Sequence, residues 1–268
     1  MTNNQTNTKI FGLQRNILLI LGIIVAFAFV LRFSRCFLVN RIDKDAVLFV
    51  QMAQDWSVKG VEYAFDRNPR IPPAYLFIMT CGEWLGVGAE NMGKAASVLA
   101  GSLLSLAAFM IGMSIFKNDK TALTAAFLVA VQPYLIRISE DVMRDSLFVT
   151  FTAFAAAFLL IAVDKNHWWA WCASGFFSAF SIATRTEGIE LFIALTAWLV
   201  LEIIIRRKET KNILSKVLPG VLLMIICFAS FVVPVELALK KSASRWSVLD
   251  YRIKAYIDNL SDQEGDNG

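Results

Sequence analysis

The sequence predicts an all-α integral membrane protein of about seven transmembrane helices, with two further interfacial helices in its first outer loop. Three observations predict it. Hydrophobic residues make up 57% of the 268 and charged residues only 18%, with a mean hydropathy of +0.56; a soluble chain is usually roughly half apolar and a quarter charged. Apolar runs of spanning length recur along the chain, parted by short polar connections. Lys and Arg then gather in alternate connections, the pattern of a positive-inside topology. These loops also account for the net charge of +4. No basic run is interleaved with aromatic residues, so no nucleic-acid partner is expected.

Residues 1–15 read as a disordered, cytoplasmic amino terminus, polar at first and then basic at Lys9 and Arg15. The first span is 16–39. No small-x-small cleavage site follows its apolar run, so it reads as retained, with Arg32 and Arg35 snorkelling or facing protein. Residues 40–92 form the first outer loop. Within Arg41–Trp56, the side chains of Leu48, Phe49, Met52 and Trp56 share one helical face, which can lie on the membrane. A turn at Lys59-Gly60 follows, and the prolines of Asp66–Pro73 stiffen the chain. The apolar stretch Ala74–Leu85 is too short to span and carries Glu83, which predicts a second interfacial helix. Gly82, Gly86 and Gly88 then permit a turn.

Six further spans are expected at 94–116, 121–136, 146–163, 168–183, 189–205 and 218–239. The membrane module therefore covers 16–239, and 240–268 is a polar tail on the outer side. With the amino terminus in the cytoplasm, Lys117, Lys120, Lys165 and the cluster Arg206/Arg207/Lys208/Lys211/Lys216 lie inside. An inner or plasma membrane is the expected location.

The cysteines Cys36, Cys81, Cys172 and Cys227 show no CxxC spacing, and the single histidine, His167, lies beside Trp168, Trp169 and Trp171 in what reads as an interfacial belt. Zinc chemistry and Ser-His or Cys-His nucleophiles are therefore not expected. Carboxylates and arginines are the candidates instead. Three outer connections carry both signs of charge: the first with Asp43, Asp45 and Arg70, the second with Arg137, Glu140, Asp141, Arg144 and Asp145, the third with Arg185 and Glu187. Charges this close to a bilayer are either paired or functional. One reading pairs them internally, Arg137 with Asp141 or Arg144 with Glu140. The other gives them chemistry: guanidinium forks hold a lipid phosphate, and a carboxylate takes the proton of an acceptor hydroxyl that attacks the carbon joined to that phosphate. Between the two first-loop acids, Asp43 leads Ala46 by three residues, the spacing of an N-cap to N3, which leaves Asp45 free to face a substrate.

The segments Asp45–Ala53, Pro72-Pro73-Ala74-Tyr75, Gln132-Pro133, Ser139-Glu140 to Asp145–Phe148 and Thr184-Arg185-Thr186-Glu187-Gly188, in that order, resemble GT-C-type membrane glycosyltransferases. The nearest likeness is to protein mannosyltransferases and lipid A aminoarabinose transferases. The resemblance implies a polyprenyl-phosphate sugar as donor and Asp45 as base, with Asp43 as its rival. It further implies Glu140, Asp141 and Asp145 as residues positioning acceptor or metal, and Arg185, with Arg137, Arg144 and Arg70, as lipid-phosphate partners. Transfer would invert the anomeric carbon on the non-cytoplasmic face. No cofactor is required by the resemblance, although oligosaccharyltransferase relatives use a divalent metal. The family normally continues with more spans, so the chain resembles the amino-terminal module alone: either a partner chain supplies the carboxy-terminal half, or the chain is a fragment, or catalysis has been lost. A non-catalytic membrane subunit or fragment that keeps the module is the alternative.

Overall fold

The computed structural model describes residues 9–10, 13–38, 44–66, 68, 71–205 and 210–239. Among them the chain is almost entirely helical. A two-residue antiparallel ladder, β1 (Lys9–Ile10) with β2 (Leu13–Gln14), occupies part of the stretch expected to be disordered. The helices are α1 (Arg15–Leu38), α2 (Lys44–Lys59), α3 (Val61–Asp66), α4 (Pro73–Trp84), α5 (Ala89–Phe116), α6 (Asp119–Val131), α7 (Pro133–Glu140), α8 (Asp145–Lys165), α9 (Trp168–Thr184), α10 (Glu190–Ile205) and α11 (Thr210–Ala238), with a 3-10 turn at Thr186–Ile189.

Four helical segments among the described residues are long and apolar enough to cross a membrane: Arg15–Cys36, Ala89–Phe116, Asp145–Lys165 and Val217–Val235. The expected third span, 121–136, is not one straight helix: α6 and α7 meet at a 51° bend. Pro133 has no N–H to donate, and the Gln132 side chain accepts from Tyr134 N (2.5 Å) and Leu135 N (3.1 Å), starting a new helix. The expected fifth and sixth spans are α9 and α10, of 17 and 16 residues. At ~1.5 Å per residue they fall short of a ~30 Å hydrocarbon core. Among the described residues the expected seven correspond to four whole spans, one broken span and two short helices.

Helices α5, α8 and α9 pack through small and hydroxyl-bearing residues, the chemistry that lets apolar helices approach closely. Ser146 Oγ donates to Ser97 O (2.8 Å), Thr150 Oγ1 to Ala100 O (2.9 Å) and Ser174 Oγ to Ala155 O (2.9 Å). The two first-loop helices each bury one face against protein. Ala46, Phe49, Met52 and Ala53 of α2 are buried together with Tyr75, Leu76 and Met79 of α4. Trp56 completes the contact edge-on to Phe65 at 5.5 Å. The apolar face predicted for the membrane surface is satisfied by protein because α4 offers a second apolar stripe to pair with it.

Glu83, which kept α4 from reading as a span, has a local role. Its Oε1 accepts from Ala89 N at 2.6 Å and so caps the start of α5, across a turn made by Gly86 and Gly88 at positive φ. The expected tryptophan belt is split. Trp168 and Trp169 are exposed, whereas Trp171 is buried, its indole seated where a side chain on Gly220 of α11 would stand.

Candidate active site

One end of the bundle gathers charge from several elements. Asp145 sits in the first turn of α8, where the helix dipole favours an acid. Its carboxylate accepts from Arg185, which follows the last residue of α9 and donates its other arm to Glu187 at 3.0 Å. Glu187 is brought back to Arg185 by the 3-10 turn, which folds onto the end of α9. A side chain on Gly188 would stand 2.6 Å from Ile182 N, so the turn closes only with glycine there. Arg185 also lies over the Phe148 ring at 5.5 Å.

Arg144, the residue before α8, reaches toward α2 and stacks over Phe49 at 5.7 Å. Asp45 is one helical turn before Phe49 and lies within electrostatic range of Arg144, as do Asp145, Glu187 and Arg185. The first outer loop and the ends of α8 and α9 therefore meet around Arg144. Burial and the neighbouring Arg185 charge lower the pKa of Arg144, while the acids around it oppose that shift. Glu187 moves the other way: its hydrogen bond with Arg185 holds its pKa down at about 2. Beneath the cluster, Tyr75 is buried with its hydroxyl 3.4 Å from Ser97 Oγ. Burial, with Asp141 and Asp145 nearby, pushes its phenol pKa up, so it remains a neutral hydroxyl.

The sequence-predicted residues fall into distinct settings. Asp45 is exposed on the first turn of α2; Asp43 and Arg70 lie outside the described residues. Asp145, Arg144, Arg185 and Glu187 form the cluster just described. Asp141 follows α7 and contributes to the charge around Tyr75. Glu140 is committed elsewhere, accepting from Arg35 Nε at 2.9 Å with its own side chain 6% exposed. Arg137 is exposed on α7 without an ion pair to a described residue. The internal pairing weighed from the sequence, Arg137 with Asp141 or Arg144 with Glu140, is replaced by pairs that cross between helices. Sequence reasoning missed the parts played by Arg32 and Arg35; two arginines inside an apolar run were the signal. Among the described residues no three His, Cys, Asp or Glu side chains come together as a metal-ligand set.

An apolar cavity of about 630 Å³ is walled by Trp56, Phe77, Phe180, Ala183 and Phe231 among others. Phe180 and Ala183 place one wall of this cavity on the last turns of α9, the helix that Arg185 follows.

Residues 70–233 match the family model of dolichyl-phosphate-mannose-protein mannosyltransferases, which is more than half of the chain. The chain belongs to this family. It is thus a membrane protein of a glycosyltransferase family of the GT-C type, whose donors are polyprenyl-phosphate sugars. The match takes in Glu140, Asp141, Arg144, Asp145, Arg185 and Glu187, whereas Asp45 and all of α1 precede it. No individual curated protein matches the chain.

Proposed function

We propose that the protein transfers a sugar from a polyprenyl-phosphate carrier to an acceptor hydroxyl on the non-cytoplasmic face, with inversion. One observation carries the reading: Arg144 is half-buried, has no ion pair to a described residue, and stands beside a second guanidinium. Such a cation calls for an anion, and a phosphate bridging Arg144 and Arg185 relieves both the burial and the like-charge repulsion. The apolar cavity walled in part by α9, the helix that leads to Arg185, suits an isoprenoid tail. Asp45, on the first turn of α2, serves as general base. It takes the acceptor proton as the acceptor oxygen bonds to the anomeric carbon. The carbon–oxygen bond to phosphate breaks on the other face, and the departing phosphate keeps the electron pair beside the two guanidiniums. Asp141 and Asp145 border the acceptor side. Tyr75, held neutral, is a hydrogen-bond donor rather than a base. In this reading Glu140 acts through Arg35.

The proposed sidedness is supported by the opposite end of the bundle, which carries Lys117, Lys120 and Lys165 and where Lys117 pairs with Asp164. In this reading that end is cytoplasmic together with the amino terminus, and the charged cluster faces outside. On this assignment α6–α7 counts as one crossing, and α9 and α10 as two more in a locally thinned bilayer.

The test is donor turnover by the purified protein with a polyprenyl-phosphate sugar, read as release of polyprenyl phosphate. Asp45→Asn is expected to lower kcat about 10²–10⁴-fold, the range for removing a general base. Turnover equal to wild type would remove Asp45 from that role, and a wild type without turnover would favour a non-catalytic module.

A further inference from the structure

The break between α6 and α7 leaves helix carbonyls without donors. In an unbroken helix Val129 O would accept from residue 133 and Ala130 O from residue 134. Residue 133 is a proline, and Tyr134 N is turned to the Gln132 side chain. The donors come instead from α1. Arg32 Nη1 donates to Ala130 O at 3.1 Å and Nη2 to Val129 O at 3.3 Å, while Nη1 also reaches Ala28 O of its own helix at 3.1 Å. The residue is fully buried, in a segment apolar enough to span. A guanidinium at the carboxyl end of a helix also meets the negative end of its dipole.

Neighbouring elements are shaped around this contact. Gly101 of α5 admits no side chain, because a Cβ there would stand 2.8 Å from Arg32 Nε and collide with Ser139 Oγ of α7. Ser139 Oγ donates to Leu135 O (2.7 Å) and lies 3.2 Å from Ser146 Oγ of α8, and Ser97 Oγ of α5 donates to Met143 O (3.0 Å). One turn along α1, Arg35 holds Glu140 at the end of α7. The bent span is therefore pinned at its break and at its end, and the second pin fixes Glu140, from which the connection to Asp145 sets out.

We propose that Arg32 is a positioning residue: its guanidinium stands in for the amide donors missing at the Gln132-Pro133 break, fixes the bend, and so sets the placement of Arg144 and Asp145. The catalytic consequence rests on the function proposed above; the capping role does not.

A thermal double-mutant cycle on the purified full chain tests the cap. Arg32→Gln is expected to lower Tm by roughly 5–10 °C, since it leaves buried carbonyls without donors. Pro133→Ala alone shifts Tm by roughly 2 °C or less. In the double variant the new N–H at residue 133 reaches Val129 O, and at least about half of the Arg32→Gln loss returns. Simple addition of the two single shifts overturns the cap. If Arg32→Gln does not fold, Arg32→Lys, whose ammonium reaches fewer carbonyls, carries the same cycle with smaller shifts.

Kinetics test the positioning. Arg32→Gln is expected to lower kcat roughly 10–100-fold, with KM for the polyprenyl-phosphate sugar within about twofold. The double variant stays slow although restabilised, because repairing the ladder straightens the bend. Wild-type kcat in Arg32→Gln, or full kcat in the double variant, overturns the positioning role. A wild type that turns over no donor defeats the functional reading alone, and the Tm cycle still decides the cap.

Discussion

The two ends of the helical bundle handle charge in opposite ways. At one end α5 and α8 finish in left-handed caps, Lys117 and Asn166 at φ 51° each, and one ion pair joins them, Lys117 to Asp164. Both partners are largely exposed, at 56% and 44%. At the other end, pairs run between helices distant in sequence: Arg35 of α1 to Glu140 of α7, and Asp145 of α8 to Arg185 beyond α9, with Arg144 over a ring of α2. The acids there are 6% and 24% exposed. An exposed pair contributes little, whereas a half-buried one fixes geometry and leaves a serious defect when either partner is removed. The first end closes helices. The second holds a constellation.

Removing Arg185 breaks that contrast most severely. Arg185→Ala strips the cation from Asp145 and Glu187 together and leaves Arg144 alone to meet a phosphate. Donor turnover is expected to fall about 10²–10³-fold, the range for losing a preorganised charge at a developing anion. Arg185→Lys keeps the charge but loses the fork that reaches two carboxylates at once, so its kcat should fall between the two. Steady-state release of polyprenyl phosphate measures both. If Arg185→Ala retains full turnover, the constellation is structural only.

Much of this end was legible in the sequence, and what was not has identifiable reasons. The acids and arginines of three connections stood out because charge beside a bilayer is costly, and Asp145, Arg144, Arg185, Glu187 and Asp45 do converge. Their pairing was not legible, since residues forty apart, such as Asp145 and Arg185, meet only once α8 and α9 are packed. The bend at Pro133 was readable as Gln132-Pro133, yet hydropathy ran straight through it and predicted one helix. Arg32 was seen as an oddity in an apolar run, and its task depends on carbonyls about a hundred residues away, beyond any local pattern. The amphipathic face of α2 was read correctly as apolar but given to lipid. A face pattern states that a surface is buried without stating against what.

A smaller effect follows from Glu187. Its folded pKa is depressed to about 2 by Arg185, below its ordinary value of 4.5. A depressed acid stabilises the fold once pH exceeds the unfolded value, and that contribution is lost as pH falls through the folded one. Glu187 should therefore add stability above about pH 4.5 that drains away toward about pH 2. Because its side chain is 46% exposed, solvent screening keeps this contribution small. Thermal unfolding of wild type and Glu187→Gln across that window checks it: the Tm gap between them should shrink with falling pH. A constant gap would mean that the pair with Arg185 does not form in the folded protein.

The smallest effect belongs to the other end, and it is the control for everything above. Lys117→Met removes the cation of the exposed pair with Asp164 while leaving the left-handed cap position occupied by a side chain of similar length. Loss of an exposed pair is worth roughly 0–1 kcal/mol and weakens further with salt. The expected Tm shift is about 2 °C or less, shrinking in high salt, with kcat and KM unchanged. A larger loss of turnover would show that charge at this end also reaches the reaction. The contrast between a closing end and a reacting end would then fail, because a half-buried position among several helices would no longer be what separates functional charge from ordinary charge.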